Sequence, residues 1–308
     1  MGALRVLVSC PAPEGVWTGN RTTAERWTRM LRSLGCSVSL QPSRTLRPLD
    51  GFDLLVALHA RRSAEVLHRF KERFPERPAI VGLAGTDVYG DLPLDSAARR
   101  SVDLADRLVA LQPEALRQID PGARKKTRVV YQSARRSARA GHRSERWFDV
   151  VVVAHLREVK DPLRTARAVR DLPGASRIRV LHVGAGLAED LARSAREEMT
   201  MNPRYHWLGQ RSPAGTLALL RRCRLLSLTS VFEGGANVVS EAIVAGVPLV
   251  ASRIAGNTGL LGARYPGLFA VGDTAALRRL LLRAESEPAF YRRLAAECAR
   301  RAPLFRPA

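Results

Sequence analysis

Leu225-Leu-Ser-Leu-Thr-Ser230 and Glu233-Gly-Gly-Ala-Asn-Val-Val-Ser-Glu241 form the stretch of sequence that decides the fold. An apolar run, two glycines and then a helical pattern predict a buried strand, a tight turn and a helix. Glycines at such a turn let backbone N–H groups approach a phosphate, and a helix N-terminus favours negative charge. Glu233 and Glu241 cannot bind a phosphate, so they are candidates for accepting hydrogen bonds from sugar hydroxyls. The pattern predicts a nucleotide-sugar site.

The same alternation of strand and helix continues on both sides of this stretch and predicts two parallel-sheet α/β halves. In the first half we expect strands over 4–9, 37–41, 53–58, 79–84, 107–111 and 128–132, with helices over 22–34 and 64–74. In the second half we expect strands over 148–154, 178–183, 205–208, 225–229 and 248–252, with helices over 162–171, 188–199, 213–223, 275–286 and 288–301. The polar, basic segment 133–146 is the predicted linker. The predicted domains are 1–140 and 147–308, with the C-terminal helix as a candidate for packing back on the first domain.

The Glu-x7-Glu spacing after a strand, followed by the turn Ala245-Gly-Val-Pro248, resembles the donor site of retaining-type glycosyltransferases of family four. The resemblance implies the GT-B fold, in which two Rossmann-like domains face a central cleft. It also implies that Glu233 contacts the transferred hexose and Glu241 the ribose, and that the diphosphate meets the backbone of Gly234, Gly235, Ala236 and Asn237. The alternative interpretation is an ordinary helix N-terminus with acidic residues in its first turn.

A second segment, Ala154-His-Leu-Arg-Glu-Val-Lys160, resembles the same family's basic diphosphate-binding segment. Lys160 stands at the family's lysine position, with a solvated lysine at a helix start as the alternative. His155 stands where the family has an arginine, and Arg157 lies two residues later. Either side chain is a candidate for the phosphate, and Arg157 is the more reliable cation at neutral pH. The family's base-binding segment implies Gly209, Gln210 and Arg211 as further donor contacts.

No Asp-x-Asp pair occurs in the sequence. A glycosyltransferase of the GT-A type would use such a pair to hold its divalent metal. We therefore predict no metal and no cofactor, with the nucleotide sugar as a co-substrate and with cations and amides stabilising the leaving group.

Polar side chains also follow three predicted strands of the first half. They are Asn20, Arg21, Thr22, His59, Arg61, Arg62, Ser63, Thr86 and Asp87. Because ligands of open parallel sheets bind beyond the carboxyl ends of the strands, we expect these residues to form the acceptor site. The alternative is helix capping by Asn20 and Thr86 together with surface arginines.

Five segments together resemble a narrower family, the selenosugar synthases of selenoneine biosynthesis. They are Gly19-Asn-Arg-Thr-Thr-Ala-Glu-Arg-Trp27, Leu58-His-Ala-Arg-Arg-Ser63, Gly85-Thr-Asp-Val-Tyr89, His155-Leu-Arg-Glu-Val-Lys-Asp-Pro162 and Glu233–Glu241. This resemblance implies selenophosphate as the acceptor and UDP-N-acetylglucosamine or UDP-glucose as the donor. Selenium joins the anomeric carbon, UDP leaves, and the phosphoryl group is lost.

The acceptor-site side chains suit that chemistry. An anionic selenium nucleophile needs little help from a general base, but a small anion beside a charged donor needs cations. Arg21, Arg61 and Arg62 supply the cations, and Asn20, Thr22 and Ser63 are neutral donors. Asp87 is a candidate for orienting an arginine or the sugar, and His59 for contacting phosphate or assisting cleavage of the P–Se bond.

The chain of 308 residues carries a net charge of +21, and all but four of its 50 basic residues are arginine. Such a surface attracts anions, and nucleic-acid binding is an alternative function that a salt titration would test. Aromatic residues make up only 6% of the chain and no zinc-finger spacing occurs, so we expect no specific nucleic acid partner.

The scattered cysteines and the lack of a long apolar run predict a cytoplasmic protein without a membrane span. A conventional O-glycosyltransferase remains the main alternative, and no pattern indicates an oligomeric state.

Overall fold

The computed structural model describes residues 2–12, 17–44, 48–135 and 141–307. These residues divide into two compact units. The first unit contains residues up to Gln132 together with Gly234–Asn237, and the second contains Ser133–Glu233 and Val238 onward. Residues 13–16 of the predicted loop before the first helix, and residues 136–140 of the predicted linker, lie outside the described part of the chain.

The sheet of the first unit has six parallel strands in the order β2-β1-β3-β4-β5-β6. Their bounds are Arg5–Cys10 (β1), Ser37–Pro42 (β2), Leu54–Leu58 (β3), Ala79–Leu83 (β4), Arg107–Ala110 (β5) and Thr127–Val129 (β6). In the register, Val6 is opposite Val38 on one side of β1 and opposite Leu54 on the other. Continuous apolar runs such as that of β1 are typical of parallel strands, which are buried on both faces.

Helices cover both faces of this sheet. They are Gly19–Ser33 (α1), Ala64–Arg73 (α2), Ser96–Leu104 (α3) and Pro121–Lys125 (α4), with a π-helix at Asp87–Asp91 and a 3-10 helix at Pro113–Gln118. One apolar cluster, containing Leu67, Phe70 and Val102, lies under α2 and α3. A second cluster, containing Val6, Val8 and Ala24, lies under α1. The two clusters form the core on the two faces of the sheet.

The sheet of the second unit also has six parallel strands, in the order β12-β11-β10-β7-β8-β9. Their bounds are Phe148–Val153 (β7), Ile178–Val183 (β8), Tyr205–Trp207 (β9), Leu225–Leu228 (β10), Leu249–Ser252 (β11) and Leu268–Phe269 (β12). Its α-helices are Arg164–Val169 (α5), Glu189–Met201 (α6), Pro213–Arg222 (α7), Asn237–Val244 (α8), Ala255–Leu261 (α9), Thr274–Ser286 (α10) and Pro288–Arg301 (α11). Of these, α8 begins with Asn237, which belongs to the first unit. Two 3-10 helices lie at Glu158–Lys160 and Ala302–Phe305.

Helix ends follow ordinary capping chemistry. The Thr18 hydroxyl accepts from the Arg21 N–H at the start of α1, and Asp273 and Ser212 cap α10 and α7 in the same way. Gly35, with φ of +85°, follows the end of α1 in the left-handed conformation that favours glycine. These side chains stabilise the starts of α1, α7 and α10, and Gly35 terminates α1.

The predicted strands and helices are all present, with differences at their ends. The main correction is α1, which begins at Gly19 and not at Thr22, because Thr18 caps it. Asn20 and Thr22 therefore lie in the first turn of the helix, and Asn20 is not its cap. The sequence pattern gave no predicted bounds for the short strand β12 or for the helices α3, α4 and α9.

Candidate active site

In each sheet, the direction in which successive strands are added reverses at one point, and a crevice forms there. Along the second sheet, the chain leaves β7 toward β8 on one side and toward β10 on the other. In the first sheet, the same reversal lies between β1 and β3. Loops diverge at the carboxyl ends of the strands at such points, and open α/β sheets bind their ligands there. The residues of interest should therefore follow β7 and β10 in one unit and β1 and β3 in the other.

In the second unit, the loops after β7 and β10 meet through an ion pair. Lys160 Nζ lies 2.5 Å from Glu233 Oε1, although the two residues are 73 positions apart in sequence. The Lys160 side chain is 26% exposed and that of Glu233 is 9% exposed. The structure thus brings together the predicted phosphate-binding lysine and the predicted sugar-binding carboxylate.

Neighbouring residues fix the position of Glu233. The Ser230 hydroxyl donates to Glu233 Oε1 at 2.7 Å, so that oxygen accepts from both a hydroxyl and an ammonium group. Behind Glu233, Gly256 in α9 is so close that a Cβ atom there would lie 2.0 Å from the Glu233 carbonyl oxygen. The carboxylate is therefore held by a hydroxyl on one side and by close backbone packing on the other.

The backbone that carries Lys160 is also held in place. The Thr229 hydroxyl, just after β10, lies 3.1 Å from the Lys160 carbonyl oxygen and 2.8 Å from that of Asp161. Asp161 has φ of +42°, a left-handed conformation that is uncommon for a residue with a side chain. Its carboxylate accepts from Arg164 Nε at 2.6 Å. Strain of this kind persists where surrounding contacts over-determine the backbone, as they do here.

Buried polar groups organise the other side of the β7 loop. His182, in β8, hydrogen-bonds the Ala154 carbonyl through Nε2 at 2.9 Å and the Tyr205 hydroxyl through Nδ1 at 2.7 Å. His155 Nδ1 accepts from the Ala185 N–H at 3.0 Å. Because Nδ1 is the acceptor, neutral His155 carries its proton on Nε2. Arg157 lies at the N-terminal end of the Glu158–Lys160 turn, so both candidate phosphate ligands are on this loop.

The buried His182 predicts a pH dependence of stability. Burial lowers the pKa of His182 from 6.5 to about 4, and the unfolded chain therefore binds this proton more readily than the folded one. The contribution of neutral His182 to stability should be fully present above pH 6.5 and should be lost as the pH drops from about 6.5 to about 4, by up to about 1.4 kcal/mol per pH unit. Denaturant unfolding measures this. The free energy of unfolding should change less steeply with pH in His182→Gln, which keeps a hydrogen-bond donor and an acceptor. His142→Gln, at an exposed histidine, is the control, and an equal loss of slope in both variants would contradict the assignment.

The remaining donor-side candidates lie further from this ion pair in the sheet. Gly209, with φ of +67°, Gln210 and Arg211 follow the edge strand β9, which is separated from β7 by β8. Gln210 and Arg211 are exposed. Glu241 lies on α8 one turn after Asn237 and is half-buried. The base-binding role of the first three and the ribose-binding role of Glu241 remain predictions.

The segment Gly234–Asn237 belongs to the first unit and packs against its strand ends. A Cβ atom on Gly234 would lie 2.3 Å from Gly85 Cα, and one on Gly235 would lie 2.7 Å from Leu111 Cβ. Both glycines are therefore required for close packing, in addition to any approach of their amides to a ligand. The Asn237 side-chain Nδ2 lies 3.2 Å from both the Gly19 carbonyl and the Thr23 hydroxyl of α1.

The first turn of α1 carries three of the predicted acceptor residues. Asn20, Arg21 and Thr22 are half-buried there, after β1. Arg21 Nε donates to Glu25 Oε1 at 2.6 Å, and the Arg21 side chain is 13% exposed. The first turn of a helix is a favourable position for an anion, because its N–H groups lack intrahelical partners.

His59 and Thr86 meet at the ends of β3 and β4. His59 has φ of +72° and is almost fully buried. Its Nε2 lies 2.9 Å from the Thr86 hydroxyl, and its Nδ1 accepts from the Arg62 N–H at 3.3 Å. Burial lowers the pKa of His59, and the neutral ring then donates from Nε2 to Thr86. Thr86 is thus bonded to a histidine and makes no side-chain cap of the following π-helix.

Asp87 is fully buried, and its carboxylate accepts hydrogen bonds from four backbone N–H groups. One carboxylate oxygen accepts from the N–H groups of Gly85 and Val88, and the other from those of Ala60 and Ala84, at 2.6–3.1 Å. The carboxylate therefore ties the loop after β3 to the loop after β4. These four bonds stabilise the scaffold of the first unit, and the orientation of an arginine or a sugar by Asp87 stays a prediction.

Replacing Asp87 by asparagine should destabilise the first unit. The new amide group would face N–H donors that now bond a carboxylate oxygen, so two hydrogen bonds would be lost and two buried donors left unpaired. We expect a loss of about 2 to 4 kcal/mol in the free energy of unfolding. Chemical denaturation measures this, with Asp103→Asn at an exposed aspartate as the matched control. Equal denaturation midpoints for Asp87→Asn and Asp103→Asn would show that the four contacts do not stabilise the fold.

Ser63 also serves the scaffold of the first unit. Its hydroxyl donates to the Leu58 carbonyl at 2.6 Å and lies 2.8 Å from the Ser43 hydroxyl, which accepts from Ser9 at 2.9 Å. All three serines are buried. Their hydroxyls form a chain that ties β1, the residue after β2 and the turn after β3 together.

Arg61 and Arg62 are the exposed cations of the β3 loop. Arg61 Nη1 lies 3.2 Å from Asp91 Oδ1, and its Nε lies 2.9 Å from Asp95 Oδ2. The Arg61 side chain is 57% exposed, so the pair is open to solvent and to exchange of partners. Among the predicted acceptor residues, the structure brings His59, Thr86 and Asp87 into direct contact and leaves the two arginines at the surface beside them.

A reactive thiol and a metal cluster are two further kinds of chemistry that such a site could use. Burial raises the pKa of the Cys10 thiol, which disfavours the reactive thiolate. Within the described ranges, no three His, Cys, Asp or Glu side chains cluster to hold a metal ion. The described helices include none that is both long and apolar enough to span a membrane.

A protein-family comparison decides the assignment of the chain. The family model of the group 1 glycosyl transferases matches residues 135–302, more than half of the sequence. The chain belongs to the group 1 glycosyltransferase family. No curated protein matches the sequence.

Solved structures with similar folds are glycosyltransferases of the GT-B type. HepE of Anabaena, in complex with UDP and glucose, has a TM-score of 0.74 at 17% identity, with 98% of this chain and 96% of that chain covered. Sucrose-phosphate synthase of Thermosynechococcus elongatus has a TM-score of 0.78 at 15% identity, covering 99% and 95%. A trehalose-phosphate synthase of Burkholderia vietnamiensis has a TM-score of 0.65 at 17% identity, covering 94% and 76%. At these identities, the similarity shows that this glycosyltransferase has the GT-B fold.

Sequence reasoning missed several residues that shape the site of this glycosyltransferase. Ser230 and Thr229 lie three and four residues before Glu233, and their hydroxyls fix Glu233 and the Lys160 backbone. His182 gave a weak signal, as a polar residue inside the apolar strand Ile-Arg-Val-Leu-His-Val. The sequence contains no signal for the role of Gly256, because only the folded chain places it against Glu233.

Proposed function

We propose that this glycosyltransferase transfers a sugar from a UDP-sugar, UDP-N-acetylglucosamine or UDP-glucose, to selenophosphate. The observation that carries the donor half is the Lys160–Glu233 ion pair, formed by the loops after β7 and β10. A cation and a carboxylate side by side at the strand reversal suit a ligand that has a diphosphate next to a hydroxylated ring. HepE of Anabaena, which has a similar fold, was solved both with UDP-glucose and with UDP and glucose, and this supports a uridine nucleotide here.

The acceptor half of the proposal depends on the loops of the first unit. Arg21, Arg61 and Arg62 lie after β1 and β3, the two strands at the reversal of that sheet. A small dianion such as selenophosphate is held best by several guanidinium groups and neutral donors. Arg61 is paired with two aspartates, so binding of an anion would exchange carboxylate partners for phosphate oxygens.

The proposed reaction balances in two steps. The selenium lone pair attacks the anomeric carbon, the bond from that carbon to the diphosphate oxygen breaks, and UDP leaves with the electron pair. Water then attacks phosphorus in the selenium-linked phosphate, the P–Se bond breaks, and inorganic phosphate and a selenosugar remain. Lys160 would stabilise the charge that develops on the departing diphosphate. No step in this scheme uses a metal or a cofactor.

The test is a product assay with selenophosphate and a panel of UDP-sugars. We expect UDP release that depends on selenophosphate, and a product with the mass of a selenosugar. UDP release driven equally by simple sugar hydroxyls would instead support an O-glycosyltransferase and reject the selenium chemistry.

Arg61→Ala tests the acceptor assignment. We expect the KM for selenophosphate to rise about tenfold, equivalent to about 1.4 kcal/mol, while the Kd for UDP stays unchanged. Arg73→Ala is the matched control, because Arg73 also forms an exposed ion pair, with Asp50, but at the C-terminal end of α2 away from the strand-end loops. Equal loss of UDP binding and acceptor use in Arg61→Ala would indicate a structural role.

A further inference from the structure

We propose that Arg26 positions the phosphate-binding segment Gly234–Asn237, and this inference rests on the proposed donor site. Arg26 lies on α1, two turns after Gly19, and no sequence motif marks it as a donor residue. It does not need to touch the nucleotide to act. Its role is to fix the segment whose backbone amides are proposed to meet the diphosphate.

The contacts that support this role are short and specific. Arg26 Nη1 donates to Asn237 Oδ1 at 2.6 Å and to Gln132 Oε1 at 3.1 Å. The other end of the Asn237 amide donates to the Gly19 carbonyl and the Thr23 hydroxyl. Both ends of this side chain are therefore bonded to the first unit, and its orientation is fixed.

Helix geometry explains why α1 can make all of these contacts. Residues three, four and seven positions apart lie on one face of an α-helix. Gly19, Thr23 and Arg26 have this spacing, so a single face of α1 presents a carbonyl, a hydroxyl and a guanidinium group to one asparagine. The proposed acceptor residues Asn20, Arg21 and Thr22 directly follow Gly19 in the first turn of the same helix.

Steric packing makes the position of the segment sensitive to this contact. Gly234 lies against Gly85 and Ala84, and Gly235 lies against Leu111, at distances that leave no room for a side chain. These two glycines have no side-chain bonds with which to hold themselves in place. Asn237 is the first residue after them with a polar side chain, so its contacts with Arg26, Gly19 and Thr23 tie the end of the segment to α1.

The functional consequence concerns the donor. If Arg26 is removed, the segment can leave its packed position, and the nucleotide must restore that position when it binds. The loss should appear as weaker UDP binding, because pre-organisation of a binding segment contributes to affinity. The thermal stability of the protein should change no more than in other α1 surface variants.

The test is a double-mutant cycle on UDP affinity, measured by titration calorimetry for Arg26→Ala, Asn237→Ala and the double variant. We expect each single change to weaken UDP about tenfold, and the double variant to be no weaker than about the worse single variant, because the two act through one contact. Arg26→Lys, which retains a donor, should recover part of the affinity. Arg29→Ala, an exposed arginine on the same helix, is the control and should bind UDP as the unmodified protein does.

Two results would overturn the inference. One is an unchanged Kd in Arg26→Ala, and the other is multiplication of the two single effects to about a hundredfold in the double variant. If Arg26→Ala does not fold, Arg26→Gln and Arg26→Lys give the same comparison. Absence of UDP binding in the unmodified protein would reject the proposed donor site itself, and would be distinguishable from a failure of the Arg26 role alone.

Discussion

Replacing Lys160 by methionine is expected to lower kcat/KM for the UDP-sugar by about a hundred- to a thousandfold, the range found when one preorganised charge-stabilising group is removed. Methionine keeps an unbranched side chain of similar length but has no charge. The substitution would remove the cation proposed to stabilise the departing diphosphate. It would also leave Glu233, whose side chain is 9% exposed, without its ammonium partner.

The matched control for this variant is Lys125→Met. Lys125 is an exposed lysine at the end of α4 and lies in the other unit. UDP release and UDP affinity should be unchanged in the control and strongly reduced in Lys160→Met. Retention of activity in Lys160→Met would mean that the solvated-lysine interpretation is correct and that another cation binds the diphosphate.

Replacing Gly256 by alanine is the second change with a large expected effect. The added methyl group would lie 2.0 Å from the Glu233 carbonyl oxygen, 2.6 Å from its carbonyl carbon and 2.9 Å from its Cβ. Two of these are backbone atoms and the third is the Cβ of the same buried residue, so Glu233 or α9 must move. Overpacking of this kind costs about 1 to 3 kcal/mol or more of stability, and a shift of about 1 Å at a reacting centre reduces the rate about a hundredfold.

Thermal unfolding and UDP release together measure the effect of Gly256→Ala. Gly174→Ala is the control, because Gly174 is exposed and a Cβ atom there has no neighbour within 4 Å among the described atoms. We expect near-normal behaviour of the control and a loss of both stability and activity in Gly256→Ala. Equal activity in the two variants would show that the position of Glu233 is not critical.

The fold could be predicted from the sequence because the apolar strand runs and the helix patterns are local signals. The start of α1 was misplaced by three residues because Thr18 caps it before the apolar pattern becomes visible. Sheet order is not a local signal, yet it decides the site. Lys160 and Glu233 meet because β7 and β10 are neighbours, which only the folded sheet shows.

The candidate site could be predicted only in part, because a polar side chain after a strand has two possible uses. Asp87 and Ser63 have the same sequence context as Arg61 and Thr86. In the structure, however, Asp87 accepts four backbone N–H groups and Ser63 bonds a carbonyl, so both stabilise the loops. Whether such a group faces a ligand or the protein backbone depends on the path of neighbouring loops, and a single sequence does not encode that path locally.

A crystal structure of the protein with bound UDP would test the central claim most directly. We predict that the diphosphate lies against the backbone amides of Gly234–Asn237 and within hydrogen-bond distance of Lys160, with the ribose hydroxyls bonded to the Glu241 carboxylate. UDP bound at another strand end, with Lys160 still paired to Glu233 and Glu241 away from the ribose, would contradict the account.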